Sequence, residues 1–287
     1  MTEPITCTPK RLPQNLWVPA AQAATAINPL NHPPINRLMM VHKEFSPTPM
    51  SIAVMTKKFW GTKGVKLTVG FLDNPPAALK SRILSHMNAW SKTANVQFVL
   101  SNSSPKVRIA RAADGYWSYL GTDVLSIPAN EATLNLEAFT MNTPDSEFFR
   151  VVRHETGHTL GCPHEHMRAE LVQLIDPQKA IAFFGQTQGW DPAMVKAQVL
   201  TPISAGSLMG TPLADQNSIM CYQIPGTITK NGKPIIGGKD IDKSDFAFMG
   251  TIYPKLSKTT AKAGAKSAKK AKKKTSAKST KKTAKKK

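Results

Sequence analysis

The sequence predicts an α+β fold: a mixed sheet with a helix packed on it, then a helical and a largely irregular second half closed by one more helix. Three observations predict this. Residues 64–73 ("GVKLTVGFLD") and 132–139 ("ATLNLEAF") alternate apolar and polar side chains, which is the strand period. Between them, Leu79, Ile83, Met87 and Trp90 recur at helical spacing. Residues 201–239 are rich in Gly, Pro, Ser and Thr, which disfavour regular structure. A chain of 287 residues with 41% hydrophobic content can bury one sizeable core, or one core built as two lobes.

In order along the chain, residues 1–56 form a Pro-rich N-terminal arm. Nine prolines fall within residues 1–50, a density that blocks helices and inner strands, so an extended arm is expected, wrapped on the domain or loose. Residues 57–254 form the main domain. After the strand at 64–73, "NPPAALKSRILSHMNAWSKT" (74–93) opens with prolines suited to a first helical turn. "VQFVL" (96–100) and "VRIA" (107–110) read as short strands, "GYWSYLG" (115–121) as an aromatic turn, and 132–139 as a strand with Leu134 and Leu136 on one face. "SEFFRVVRHETGHTLG" (146–161) reads as a helix capped by Ser146 and ended by Gly161. Residues 167–200 look helical, with a break near "GQTQGWDP", and 242–254 suits a closing helix stopped by Pro254.

Composition narrows the class. No run of 18 apolar residues occurs, so no transmembrane segment is expected. The start lacks a basic region followed by an apolar stretch, so no classical signal peptide is read, and the expectation is a cytoplasmic or non-classically exported protein. The three cysteines, Cys7, Cys162 and Cys221, are too few and too odd for a disulfide scaffold. The net charge of +20 belongs to one segment: from Lys255 onward there are 15 lysines and no acid, which leaves residues 1–254 near +5.

The chemistry is concentrated at 151–166, "VVRHETGHTLGCPHEH", which holds four of the seven histidines. Residues four apart on a helix share a face, so His154 and His158 point the same way, with β-carbons about 5–6 Å apart. That spacing lets two imidazoles reach one cation. Glu155, the next residue, can reach a water near that cation and act as a general base. Gly161 can take the left-handed conformation that ends the helix, which allows His164 to return to the same ion. Three neutral imidazoles leave a tetrahedral ion one open position, the mark of a catalytic rather than a structural zinc site. His32, His42 and His86 lack ligand spacing, and His166 reads as a surface residue or one supporting the ligands.

The five positions His154, Glu155, His158, Gly161 and His164 form HExxHxxGxxH, and the chain resembles the metzincin zinc metallopeptidases, of an astacin-like or matrixin-like bacterial type. "SIMCY" (218–222) is similar to the Met-turn of these enzymes, so the resemblance implies Met220 as an apolar base beneath the metal. It implies that Tyr222 assists catalysis by steadying an oxyanion. The resemblance covers roughly residues 57–254. It implies a metzincin-like upper lobe with a mixed twisted sheet and two helices, and a mostly irregular lower lobe with a C-terminal helix. It further implies one catalytic zinc, a metalloendopeptidase activity on protein or peptide substrates, and a monomer. By the same analogy Leu134, Asn135 and Leu136 lie on the edge strand to which substrate pairs, and Glu165 contacts a processed N-terminus. The chain departs from astacins in its cysteine count and in having no Asp before Asp73. Matrixins block their zinc with a cysteine. Cys7 in "TCTPKR" could do so, but its surroundings match poorly, and a simple free thiol is the reading preferred.

The tail 255–287, a Lys/Ala/Ser/Thr mixture, should be disordered in isolation. It is suited to non-specific contact with nucleic acid or another polyanion by counterion release. A second reading of the chain is therefore a catalytically inactive, zinc-stabilised binding protein tethered through this tail.

Overall fold

The computed structural model of the chain describes residues 7–8, 10–41, 44, 46–203 and 214–255. Beyond Lys255, the tail lies outside the described residues. The sheet has five strands, β1 (Val65–Phe71), β2 (Val96–Leu100), β3 (Val107–Ala110), β4 (Tyr116–Ser118) and β5 (Leu134–Leu136), in the spatial order β2-β1-β3-β5-β4. β1 runs parallel to β2 and β3, β3 runs parallel to β5, and β4 alone is antiparallel to its neighbour β5.

Two expectations about this sheet are corrected. The aromatic turn read at 115–121 contains β4, and β4 is the edge. Leu134, Asn135 and Leu136 are not an edge strand: they pair with β3 on one side and β4 on the other and are fully buried. A period-2 pattern reports which face a residue takes, not which neighbour its strand has, so edge and interior look alike in sequence.

The arm is also corrected. It is not extended: it carries α1 (Trp17–Ile27), α2 (Ile35–Val41) and α3 (Pro49–Met55). Pro19, Pro29 and Pro49 stand where a helix does not use the N–H. Pro49 opens α3 behind the Thr48 cap, Pro29 opens a short 3-10 turn, and Pro19 is the third residue of α1. The arm is docked rather than loose. Asn31 is wholly buried, and its side chain donates to the carbonyls of Ala24 (2.9 Å) and Phe59 (2.7 Å) while accepting from Phe59 N–H (3.0 Å).

One face of the sheet packs on α4 (Ala77–Met87) and on a helical run at 145–159. That run is α5 (Asp145–Glu147), a π-helical turn (Phe148–Val152) and α6 (Arg153–Thr159). Leu79, Ile83 and Met87 of α4 meet Phe148, Val151 and Val152 with Leu67, Ile109 and Leu134 between, as their helical and alternating spacings require. The run starts behind Pro144 with no side-chain cap, so Ser146 lies inside the first turn rather than ahead of it. A second core joins α7 (Ala169–Val172), α8 (Pro177–Gln188) and α9 (Pro192–Val195) to the stretch after residue 220. These are the helices read at 167–200, and 214–239 is irregular apart from a 3-10 turn and the bridges Ile224–Ile235 and Ile175–Thr229. The closing helix α10 (Lys243–Ile252) starts with a reciprocal capping box between Asp242 and Asp245. Among the described residues no helix is long and apolar enough to cross a membrane.

Asn31→Ala would leave a buried carbonyl and a buried N–H at Phe59 without partners. A loss of about 2–4 kcal/mol is expected in denaturant titration, whereas a loosely attached arm would leave the midpoint unchanged.

Candidate metal centre

His154 and His158 sit one turn apart on α6, and both are buried. The helix stops where the motif requires. Gly161 has φ +98°, and its N–H donates to the His158 carbonyl at 2.8 Å. A β-carbon there would also come within 2.9 Å of Phe59 and 3.1 Å of the Lys58 carbonyl, so the stretch just after the arm packs against this turn. The last helical carbonyls are taken by distant side chains: Trp60 Nε1 donates to Thr159 O (2.9 Å) and the Tyr253 hydroxyl to Leu160 O (2.5 Å).

The turn returns His164 to the cluster. The three Nε2 atoms stand 3.1 Å (154–158), 3.2 Å (154–164) and 3.0 Å (158–164) apart. His154 Nδ1–H donates to Ile219 O (2.6 Å) and His158 Nδ1–H to Cys162 O (2.7 Å). With Nδ1 protonated, each of these rings turns an Nε2 lone pair towards the other imidazoles. Burial depresses the basicity of all three, His154 to about 4 and the other two well below the usual value, so the rings are neutral at physiological pH. Buried neutral nitrogens whose lone pairs converge are the donor set of a zinc ion, and the residues fit that group.

Glu155 is buried beside this cluster, and burial raises its carboxyl to about 8. Its partner is Cys7, a free thiol as preferred from sequence, and the fold places it beside the histidine cluster. Cys7 Sγ donates to Glu155 Oε2 at 3.4 Å, and Sγ and the imidazole nitrogens of His154, His158 and His164 all lie within 4.8 Å of one another. The Tyr222 hydroxyl donates to the Cys7 carbonyl. The arm reaches the site along β4. Thr8 N–H donates to Tyr116 O at 3.0 Å, and Cys7 and Lys10 bridge in parallel to Tyr116 and Tyr119. Ser118 Oγ on β4 contacts Thr159 Oγ1 on α6 at 3.0 Å, which fixes this edge beside the helix. All three cysteines are free, and Cys162 faces Met249 rather than Cys221.

Met220 lies under the helix. A β-carbon on Gly157 would fall 2.4 Å from Met220 Sδ, so a larger residue where helix and loop cross would force the methionine side chain to shift. The loop is tied from both sides: Glu165 N–H donates to Met220 O (2.8 Å), and Asp245 on α10 accepts from Ser218 Oγ (2.6 Å) and Ile219 N–H (2.9 Å). Since Ile219 O in turn holds His154, the closing helix positions a ligand through one residue. Glu165 pairs with Arg168 (3.4 Å) and accepts from Asp215 N–H (3.1 Å). His166 is not on the surface: it is fully buried, stacks on the Tyr222 ring (centroids 4.0 Å, planes 16° apart) and meets Gln198 O at 3.0 Å. Sequence spacing gives no sign of Cys7 at the site, of Gly157 or of this stack, because all three depend on how separate segments meet.

Comparison with known proteins agrees with this geometry. The profile of the astacin peptidase family matches residues 53–254. A Caenorhabditis elegans protein, zinc metalloproteinase nas-27, is 30% identical over 106 residues, which are 37% of this chain but 23% of that protein, so the match spans about a quarter of the curated relative. A structure of myroilysin superposes with a TM-score of 0.65 at 32% identity, covering 70% of this chain and 97% of that one. A second myroilysin structure gives 0.53 at 32% identity, covering 69% and 86%.

Gly157→Ala should cost about 1–3 kcal/mol by overpacking against Met220. In a Met220→Ala background the same change should cost less, and the double-mutant cycle by thermal unfolding reads the difference. Equal costs in both backgrounds would show that the two side chains do not compete for the space.

Proposed function

This chain belongs to the astacin family of peptidases, and on that premise we propose that it is a zinc endopeptidase held latent by its own Cys7. Zinc is the cofactor of this family, and the histidine cluster is able to bind it. His154, His158 and His164 would hold the ion, and Cys7 would close the remaining position in the latent form. When bound, the metal polarises a peptide carbonyl and renders water nucleophilic near neutral pH. The observation that carries the reading is the convergence of three Nε2 atoms within 3.2 Å beside a buried glutamate.

The chain's own residues supply the rest. Glu155 is the general base: it takes a proton from the attacking water and delivers it to the leaving amine. Tyr222 donates its hydroxyl proton to the developing oxyanion, a donor that the Cys7 carbonyl occupies in the latent form. His166 holds the phenol ring in place by stacking. Met220 and Gly161 shape the site rather than react. The substrate is an extended peptide that pairs with the outer edge of β4, a role expected of 134–136 from sequence. The arm already uses that edge, which supports the assignment.

Residues 255–287 act as an electrostatic tether to polyanions, with no sequence readout. Binding to duplex DNA should fall steeply with salt and disappear on truncation after Pro254.

The decisive variants are made in a Cys7→Ala background, which should be active without processing. There Glu155→Gln should keep one zinc per chain while kcat/KM falls about 10²–10⁴-fold. Tyr222→Phe should lose about 10²-fold, mainly in kcat. If Cys7→Ala binds zinc stoichiometrically and cleaves nothing in a broad peptide library, the inactive binding-protein reading replaces this one.

A further inference from the structure

We propose that α2 and the turn before it form a docking surface for an anionic lipid bilayer, acting jointly with the Lys-rich tail. The tail's part rests on the reading of residues 255–287 as a polyanion tether, whereas the apolar part stands on the arm alone. α2 buries none of its residues, and none of them joins any of the three apolar clusters of the described residues. Its last three residues, Met39, Met40 and Val41, are 47%, 81% and 66% exposed, and Leu30 in the preceding turn is 60% exposed. Three consecutive helical residues span about 200° around the axis, so the end of α2 is apolar over more than half its circumference. Single exposed apolar residues are ordinary, but a contiguous run of them marks a surface that meets something other than water.

This end of α2 projects from a fixed base. Asn31 ties the turn to Ala24 and Phe59, and the helix starts behind Pro33 and Pro34, with Leu38 N–H donating to Pro34 O at 3.0 Å. α2 also lies ahead of residues 53–254, the stretch that matches the family profile, so the metal centre does not draw on it. Charge then selects the occupant. Between Leu12 and Thr56 the charged residues are Arg37, Lys43 and Glu44 alone, in a chain that is 20% charged overall. Such a surface lacks the charges that keep a protein face in water. A second copy seated here would bring its own net charge of +20 against the same charge. An anionic bilayer reverses that sign. Its headgroups attract the 15 lysines from Lys255 onward, and the boundary of its acyl chains takes up Leu30, Met39, Met40 and Val41. Either signal alone holds a protein weakly, and an apolar anchor paired with a polybasic segment holds it stably.

The test is sedimentation of the full chain with vesicles of phosphatidylcholine, alone or mixed in equal parts with phosphatidylserine. The chain should pellet with the mixed vesicles and stay in solution with the neutral ones. Met39→Gln, Met40→Gln and Val41→Gln together should weaken binding to the mixed vesicles about 10-fold, with an unchanged melting temperature. Truncation after Pro254 should weaken it as well and remove most of its salt dependence. In a separate Met40→Trp chain, the added indole emission should shift to the blue on binding and be quenched by brominated acyl chains. Adsorption through lysines alone does not give that quenching. A triple variant that binds as well as the original chain, or a Met40→Trp indole that is not quenched, overturns the docking surface and leaves the tail reading intact. Binding that the truncation does not change overturns the tail's part and leaves the surface. A full chain that ignores the mixed vesicles overturns both. A dimer in lipid-free solution that the triple variant breaks gives the surface to a second copy and overturns the lipid occupant.

Discussion

Everything in this molecule depends on holding three neutral imidazoles in one buried spot with their lone pairs converging. Such an arrangement is unstable without a cation: burial removes the water that would satisfy each nitrogen, and protonation is suppressed by the same burial. The fold therefore has to fix each ring against turning away. It does so mainly with backbone. Two carbonyls, from Ile219 and Cys162, set the tautomer of His154 and His158, and both belong to segments that the helix itself does not contain. A ligand set built this way is only as well placed as the loops that orient it.

That explains where the rest of the structure is most tightly tied. The turn at Gly161 is enclosed by Lys58 and Phe59, by Trp60 and by Tyr253, so the stretch just after the arm and the end of the closing helix meet at the point where α6 ends. The Met220 loop is held between Glu165 and Asp245, which connects the chain beside His164 to α10. Trp90, just beyond α4, donates to the Arg153 carbonyl one residue before His154. Elements far apart in the chain are thus committed to a site a few ångströms across, and the sheet is the rigid surface on which they converge.

Much of this is legible in the sequence. The clustering of His154, His158 and His164, the neighbouring glutamate and the glycine stop follow from helical geometry, since a spacing of four and a forced turn are local facts. β1, β2, β3 and α4 follow from periodicity to within a few residues. What is not legible depends on long-range meeting. Strand β4 is three residues long, too short for an alternation to register, and its place at the edge is a property of the assembled sheet. The arm's helices are hidden from a count of proline density, because the position of each proline within the first turn decides its effect. Cys7 lies 147 residues before His154, so no local pattern could bring it to the ligands. Nothing in the spacing of His166 reveals that Tyr222 lies across from it, which is why sequence alone leaves it open between a surface and a supporting place.

The parallel bridges between the arm and β4 have a bearing on solubility. A terminal strand with unsatisfied amides and carbonyls is a template for adhesion between molecules, and cells suffer from such templates when protein is concentrated. Here the strand next to the most reactive part of the chain is capped by a piece of the same polypeptide. Whenever that cap lifts, the molecule exposes a surface that fits any passing extended chain, its own copies included. On the proposed reading, the same few backbone groups bear both on when the site receives a peptide and on self-association.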